Sequence, residues 1–218
     1  VSKRLRIAVV TVVSAMLAAL PVAASASSAV LTSGAADIDP GTQLEAQATD
    51  NVTFASGASS GGAVTCSASD IAAAVQTNPA APGTATLSVT GFSFSGCSTT
   101  IAGTTGVDRV AFDHLPYAMS ISDATSPPTA TLRPGGDGPV QLALRLDTPS
   151  GPIHCIYKPR DSSSMSAGLT ADGARFDVTL DPDLSTGIST EPCLHSLHFT
   201  GSYGPFLDLG SLQPVVVN

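Results

Sequence analysis

Few residues in this chain have the type and spacing to do chemistry. His195 and His198 are three apart, which on a helix would turn both rings toward one metal ion. The surrounding Leu194-His195-Ser196-Leu197-His198-Phe199 reads as a strand, where residues three apart point to opposite faces. Strand histidines are therefore expected, and no zinc site. His154 stands apart from that pair. Asp181-Pro182-Asp183-Leu184-Ser185-Thr186-Gly187 alternates oxygen-bearing side chains on a turn, as a hard cation such as calcium requires. It departs from the EF-hand loop, with Gly187 seventh instead of sixth and Glu191 eleventh instead of twelfth. Asp113-His114 places an acid beside an imidazole, but neighbours on a strand point apart and form no dyad by themselves. Serine is abundant, yet none is paired in sequence with a base and an orienting acid. No catalytic, cofactor-binding or metal-binding residue is assigned, no cofactor is expected, and enzyme activity is not expected.

The four cysteines, Cys66, Cys97, Cys155 and Cys193, are the other reactive groups. An even count in an exported chain favours disulfides over metal ligation. Of three connectivities, Cys66–Cys97 and Cys155–Cys193 are expected, because each pair brackets a strand, a turn-rich stretch and a returning strand. Gly62-Ala63-Val64-Thr65-Cys66 also echoes Gly151-Pro152-Ile153-His154-Cys155, as a duplicated unit would.

The elements that must carry these groups are strands. Val140, Leu142, Leu144 and Leu146 alternate with Gln141, Ala143, Arg145 and Asp147; Phe176, Val178 and Leu180 alternate with Arg175, Asp177 and Thr179. Weaker alternation covers 42–48, 84–94, 107–121, 153–157, 194–200 and 212–217, with Gly, Pro and Asp turns between. Residues 69–75, crowded with alanine, fit a helical turn or a strand equally well. Residues 158–166 read as the longest exposed loop. Together these predict an all-β fold: one antiparallel β-sandwich, immunoglobulin-like or jelly-roll-like, over residues 41–218. Residues 27–40 are expected to form a flexible N-terminal segment.

Residues 1–26 read as a signal peptide. Lys3, Arg4 and Arg6 precede an apolar run from Ile7 to Leu20; Pro21 breaks it, and Ala24-Ser25-Ala26 offers the small-x-small cleavage site. A mature start at Ser27 is expected, in a secreted, extracellular or cell-wall-associated product with no membrane attachment. Losing Lys3, Arg4 and Arg6 leaves 6 of the 9 Lys and Arg beside 17 Asp and Glu, a net charge of −11. So acidic a chain repels phosphate backbones and anionic membrane surfaces, so nucleic acid is not an expected partner. The absence of Trp, with only three Tyr, argues against an aromatic sugar-binding platform.

The opening Val and the seven Arg against two Lys suit a GC-rich bacterial gene. Cys66, the run Asn78-Pro79-Ala80-Ala81-Pro82-Gly83-Thr84-Ala85-Thr86, Phe92 and Gly96-Cys97, then Leu115-Pro116-Tyr117 and Cys155-Ile156-Tyr157, carry a resemblance across most of the exported part. The chain resembles an uncharacterised family of small secreted actinobacterial proteins. The resemblance implies export and a β-fold, and carries over no site residue. The function expected is a secreted, non-enzymatic structural or interaction protein with a cell-wall or extracellular protein partner. The alternatives are a carrier of a small apolar ligand, or a secreted hydrolase or protease inhibitor with residues 158–166 as the inhibitory loop.

Overall fold

The computed structural model describes residues 28–57, 61–160, 164–171, 176–187 and 191–218. In chain order its first strands are β1 (Leu31–Ser33), β2 (Ala36–Asp37), β3 (Gln43–Gln47), β4 (Val52–Ser56), β5 (Ala63–Thr77), β6 (Thr84–Thr99), β7 (Gly106–Asp113) and β8 (Tyr117–Ser122). They continue as β9 (Thr129–Arg133), β10 (Gln141–Asp147), β11 (Ile153–Pro159), β12 (Met165–Ala171), β13 (Phe176–Leu180), β14 (Asp183–Ser185), β15 (Ser196–Tyr203), β16 (Leu207–Asp208) and β17 (Val215–Val217). No helix occurs among the described residues.

The expected alternation is present where it was strongest. Leu142, Leu144 and Leu146 are buried along β10, with Arg145 exposed between them, and Phe176, Val178 and Leu180 are buried along β13. The ambiguous residues 69–75 are strand, inside β5. Ser69, Ile71 and Ala73 are buried there, the period of two that a sheet needs.

The all-β, antiparallel expectation holds, but a closed barrel with additional strands stands where a two-sheet sandwich was expected. β5 pairs with β6 along almost its whole length, and the order continues through β8, β9, β12, β13 and β15. β4 then pairs with both β15 and β5, so eight strands (β4, β5, β6, β8, β9, β12, β13 and β15) close into a barrel. The physical reason lies in the long strands. At 15 and 16 residues, β5 and β6 span more than one set of neighbours. Along one edge of β5, residues 63–66 meet β4 and residues 70–74 meet β3. A short strand that bridges two edges removes both from solvent, which a two-sheet sandwich cannot do. Where β5 changes partner, Ser67 faces Gly96 of β6, whose φ is +60°. A Cβ at Gly96 would overlap the Ser67 hydroxyl, so this positive-φ position favours glycine.

A branch of four more strands, β14, β11, β10 and β7, leaves β15 beside the barrel. Aromatic rings fill the closure and the junction. Phe54 of β4 is the register partner of Phe199 of β15, and their rings stack 4.8 Å apart. Phe112 of β7 lies 5.8 Å from Phe199 and 4.7 Å from Phe92. Each such pair adds roughly 0.5–1.5 kcal/mol beyond its burial.

Residues 28–40 are part of the packed fold, contrary to the flexible segment expected. β1 lies between β17 and β2, and Val30 and Leu31 are fully buried. The Asn78 side chain holds this segment as a peptide group would, accepting from Leu31 N at 2.8 Å and donating to Leu31 O and Ile38 O at 2.8 and 2.9 Å. The loop expected at 158–166 is shorter than anticipated: Lys158 and Pro159 pair with β14, and Met165 begins β12, leaving 161–163 outside the described residues.

Candidate functional site

The four cysteines form the expected bridges, Cys66–Cys97 and Cys155–Cys193, and no described cysteine is free. Their settings differ. Cys66 and Cys97 are register partners in the β5–β6 pair, with Cα atoms 3.9 Å apart. Cys155 lies in β11, while Cys193 precedes β15, with β14 between those strands in the sheet. The sequence echo around Cys66 and Cys155 therefore does not extend to matching bridges. Two disulfides suit an oxidising compartment. No described helix is long and apolar enough to cross a membrane.

His198 is the most elaborated titratable group. The β14–β15 register sets Asp183 opposite it, and the Asp181-Pro182 step returns a second carboxylate to the same ring. Nε2 lies 2.6 Å from Asp181 Oδ1, and Nδ1 lies 3.0 Å from Asp183 Oδ1. The Asp183 hydrogen bond, with charge from Asp181, raises the imidazole pKa above its ordinary value. When protonated, the ring donates from both nitrogens and is held between the two carboxylates, an electrostatic clamp. Asp181 and Asp183 are thereby engaged, and 183–185 of the calcium-loop spacing are strand, while 188–190 lie outside the described residues. His195 lies before β15, beside Glu191, in a separate cleft of about 420 Å³ lined also by Ile101, Cys193 and Leu194. No group of three or more His, Cys, Asp or Glu suited to a metal occurs among the described residues.

Strand alternation does not govern Asp113 and His114, because β7 ends at Asp113 and His114 lies in the turn after it. Asp113 accepts from Gln141 Nε2 at 3.2 Å, and His114, at φ +63° in the turn between β7 and β8, sets Nδ1 3.3 Å from Pro139 O. One string with the G-x-S-x-G spacing exists, Gly57-Ala58-Ser59-Ser60-Gly61, with 58–60 outside the described residues. It joins strand β4 to strand β5, whereas a nucleophile elbow turns from strand into helix.

Two of the three tyrosine hydroxyls, those of Tyr117 and Tyr203, make hydrogen bonds that tie elements together. Tyr117 OH donates to Asp113 O and accepts from Gln141 N at 3.1 Å, tying the β7–β8 turn to β10. Tyr203 OH pairs with Ser69 Oγ at 2.9 Å inside the core, and burial raises its pKa. Burial also pushes Tyr157 up to about 12, and its hydroxyl faces the Leu194 backbone without a hydrogen-bond partner among the described residues. None of these phenols is poised to give up a proton near neutrality.

A further set of groups comes together only through register. On the outer face of β7, β10 and β11, Arg109 is opposite Arg145, and Arg145 is opposite His154. A cavity of about 140 Å³ lies among these three side chains, with Asp113, Ala143 and Leu144 completing its lining. The alternation along β10 places Arg145 outward, but only the pairing of strands reveals the row. Comparison of the chain with known protein families, curated proteins and solved structures found no match.

Proposed function

We propose that this chain is an exported, non-enzymatic interaction module that works through the outside of a filled barrel. The observation that carries this reading is the ring-filled interior. Phe54, Phe199 and Tyr203 are fully buried where β4, β5 and β15 close the barrel, and Phe176 stacks on Phe206 at 4.8 Å. A barrel interior so occupied leaves no room inside for an apolar ligand, and the cleft of about 420 Å³ at His195 opens on the outside with a mixed polar lining, which supports an outer working surface. The signal-like residues 1–26, the two bridges and the resemblance to secreted actinobacterial proteins support export. Durability fits the same role, because bridges and a closed sheet keep a domain folded without chaperones.

The mature chain from Ser27, tagged and immobilised, tests this against cell-wall and medium fractions of the producing organism. Specific retention of an envelope or extracellular component is the expected result. Co-purification of a stoichiometric apolar small molecule, or turnover of a hydrolase substrate, overturns it.

A further inference from the structure

After residue 26 the chain has six Lys and Arg, and three of them, Arg109, Arg145 and Lys158, lie on β7, β10 and β11. Within that sheet the row brings two like charges, Arg109 and Arg145, into register across neighbouring strands, with His154 opposite Arg145 on the other side. Such pairs are destabilising unless something offsets them. Asp108 offsets one, with Arg145 Nε 2.9 Å from its Oδ2. Arg109 has no hydrogen-bond or ion-pair partner among the described residues, and its guanidinium shares the 140 Å³ cavity with Arg145 and His154. The one carboxylate in that lining, Asp113, accepts from Gln141 Nε2.

We propose that this row is a binding site for one isolated oxyanion, a carboxylate or a phosphate monoester, carried by an otherwise neutral molecule. A guanidinium presents paired N–H donors in a planar fork that matches either group, and two forks on adjacent strands can hold one anion from two sides. The bound charge supplies the offset that Arg109 lacks. The net charge of −11 over residues 27–218 sets the limit on the ligand, because the field of the whole molecule repels a polyanion while tolerating one small anionic group at a local cationic row. This inference rests on the interaction reading and gives it a ligand chemistry.

The test titrates inorganic phosphate, acetate and long-chain polyphosphate separately into the mature chain, followed by backbone-amide and arginine side-chain NMR. Saturable shifts confined to β7, β10 and β11 are expected with phosphate or acetate, and the tighter of the two identifies which oxyanion the site prefers. Arg109→Gln, shown to be folded by circular dichroism, should weaken that binding about tenfold, the loss of one charge-assisted contact. Arg145→Gln should weaken it as well and also free Asp108. Absence of saturable shifts, shifts unchanged in Arg109→Gln, or preferential binding of polyphosphate each overturns the proposal. Envelope retention without a phosphate or acetate response removes this site and leaves the interaction reading standing; the opposite pair of results removes that reading and leaves the site.

Discussion

Removing either disulfide tests whether loop closure, more than local geometry, sets its contribution. Cys66 and Cys97 are 31 residues apart, and Cys155 and Cys193 are 38 apart. Closing a loop of the first size lowers the unfolded chain's entropy by about 12 cal/mol/K, or about 3.7 kcal/mol at 25 °C, and the second gives about 3.9 kcal/mol. Paired Cys→Ala variants should therefore lose nearly equal stability, despite settings that look unequal. For a domain of this size that corresponds to a fall in Tm of roughly 7–15 °C. The structure adds a difference in kind. Cys66 and Cys97 sit inside a strand pair registered on both sides of them, so their loss should leave native hydrogen exchange around β5 and β6 little changed. Cys193 anchors the connection between β14 and β15, so losing Cys155–Cys193 should speed exchange at amides near 193–195 as well. Urea unfolding of both double variants against the oxidised parent, followed by hydrogen exchange, reads both effects. A loss below about 1 kcal/mol for either pair would refute the loop-closure reasoning.

Tyr203→Phe should cost about 1–3 kcal/mol in urea unfolding, because it leaves the buried Ser69 hydroxyl without its partner; adding Ser69→Ala should recover part of that loss. Asn78→Ala removes three hydrogen bonds to Leu31 and Ile38, and should release residues 28–38 first, read as faster amide exchange there and a fall of roughly 2–3 kcal/mol. His198→Gln should cost under about 1 kcal/mol, as exposed ion pairs do. Because the folded imidazole pKa is raised, that contribution is complete below about pH 6.5, the unfolded value. It fades as pH rises through the folded value, so the gap in urea midpoint between variant and parent should close toward alkaline pH.

Strand existence was legible wherever bulky residues alternate, as along β10 and β13. It was not legible where the alternating residues are small. Met165-Ser166-Ala167-Gly168-Leu169-Thr170-Ala171 forms β12, but its inward Ala167 carries little signal, and the start of the strand read as loop. The alanines of 72–74 blurred β5 in the same way. Barrel closure depended on β4, five residues whose double pairing has no local signature. The disulfide partners could be argued from spacing because each bridge closes a local loop. The His198 clamp and the Arg109–Arg145–His154 row could not, since both exist only once neighbouring strands adopt a particular register.

The clasp between the first and last strands has a topological consequence. Asn218 N donates to Val30 O at 3.0 Å, and its side-chain amide reaches Ala29 O at 2.6 Å, so the two ends of the packed chain meet in one sheet. A linker of a few residues could join them and make the polypeptide circular without disturbing the pairing of β1 with β17. New ends could then be opened at an exposed turn such as 149–151, between β10 and β11, giving a permuted chain with the same neighbours in a different order. In that permutant the β10–β11 hairpin would no longer be continuous, while residues 28 and 218 would become an interior connection.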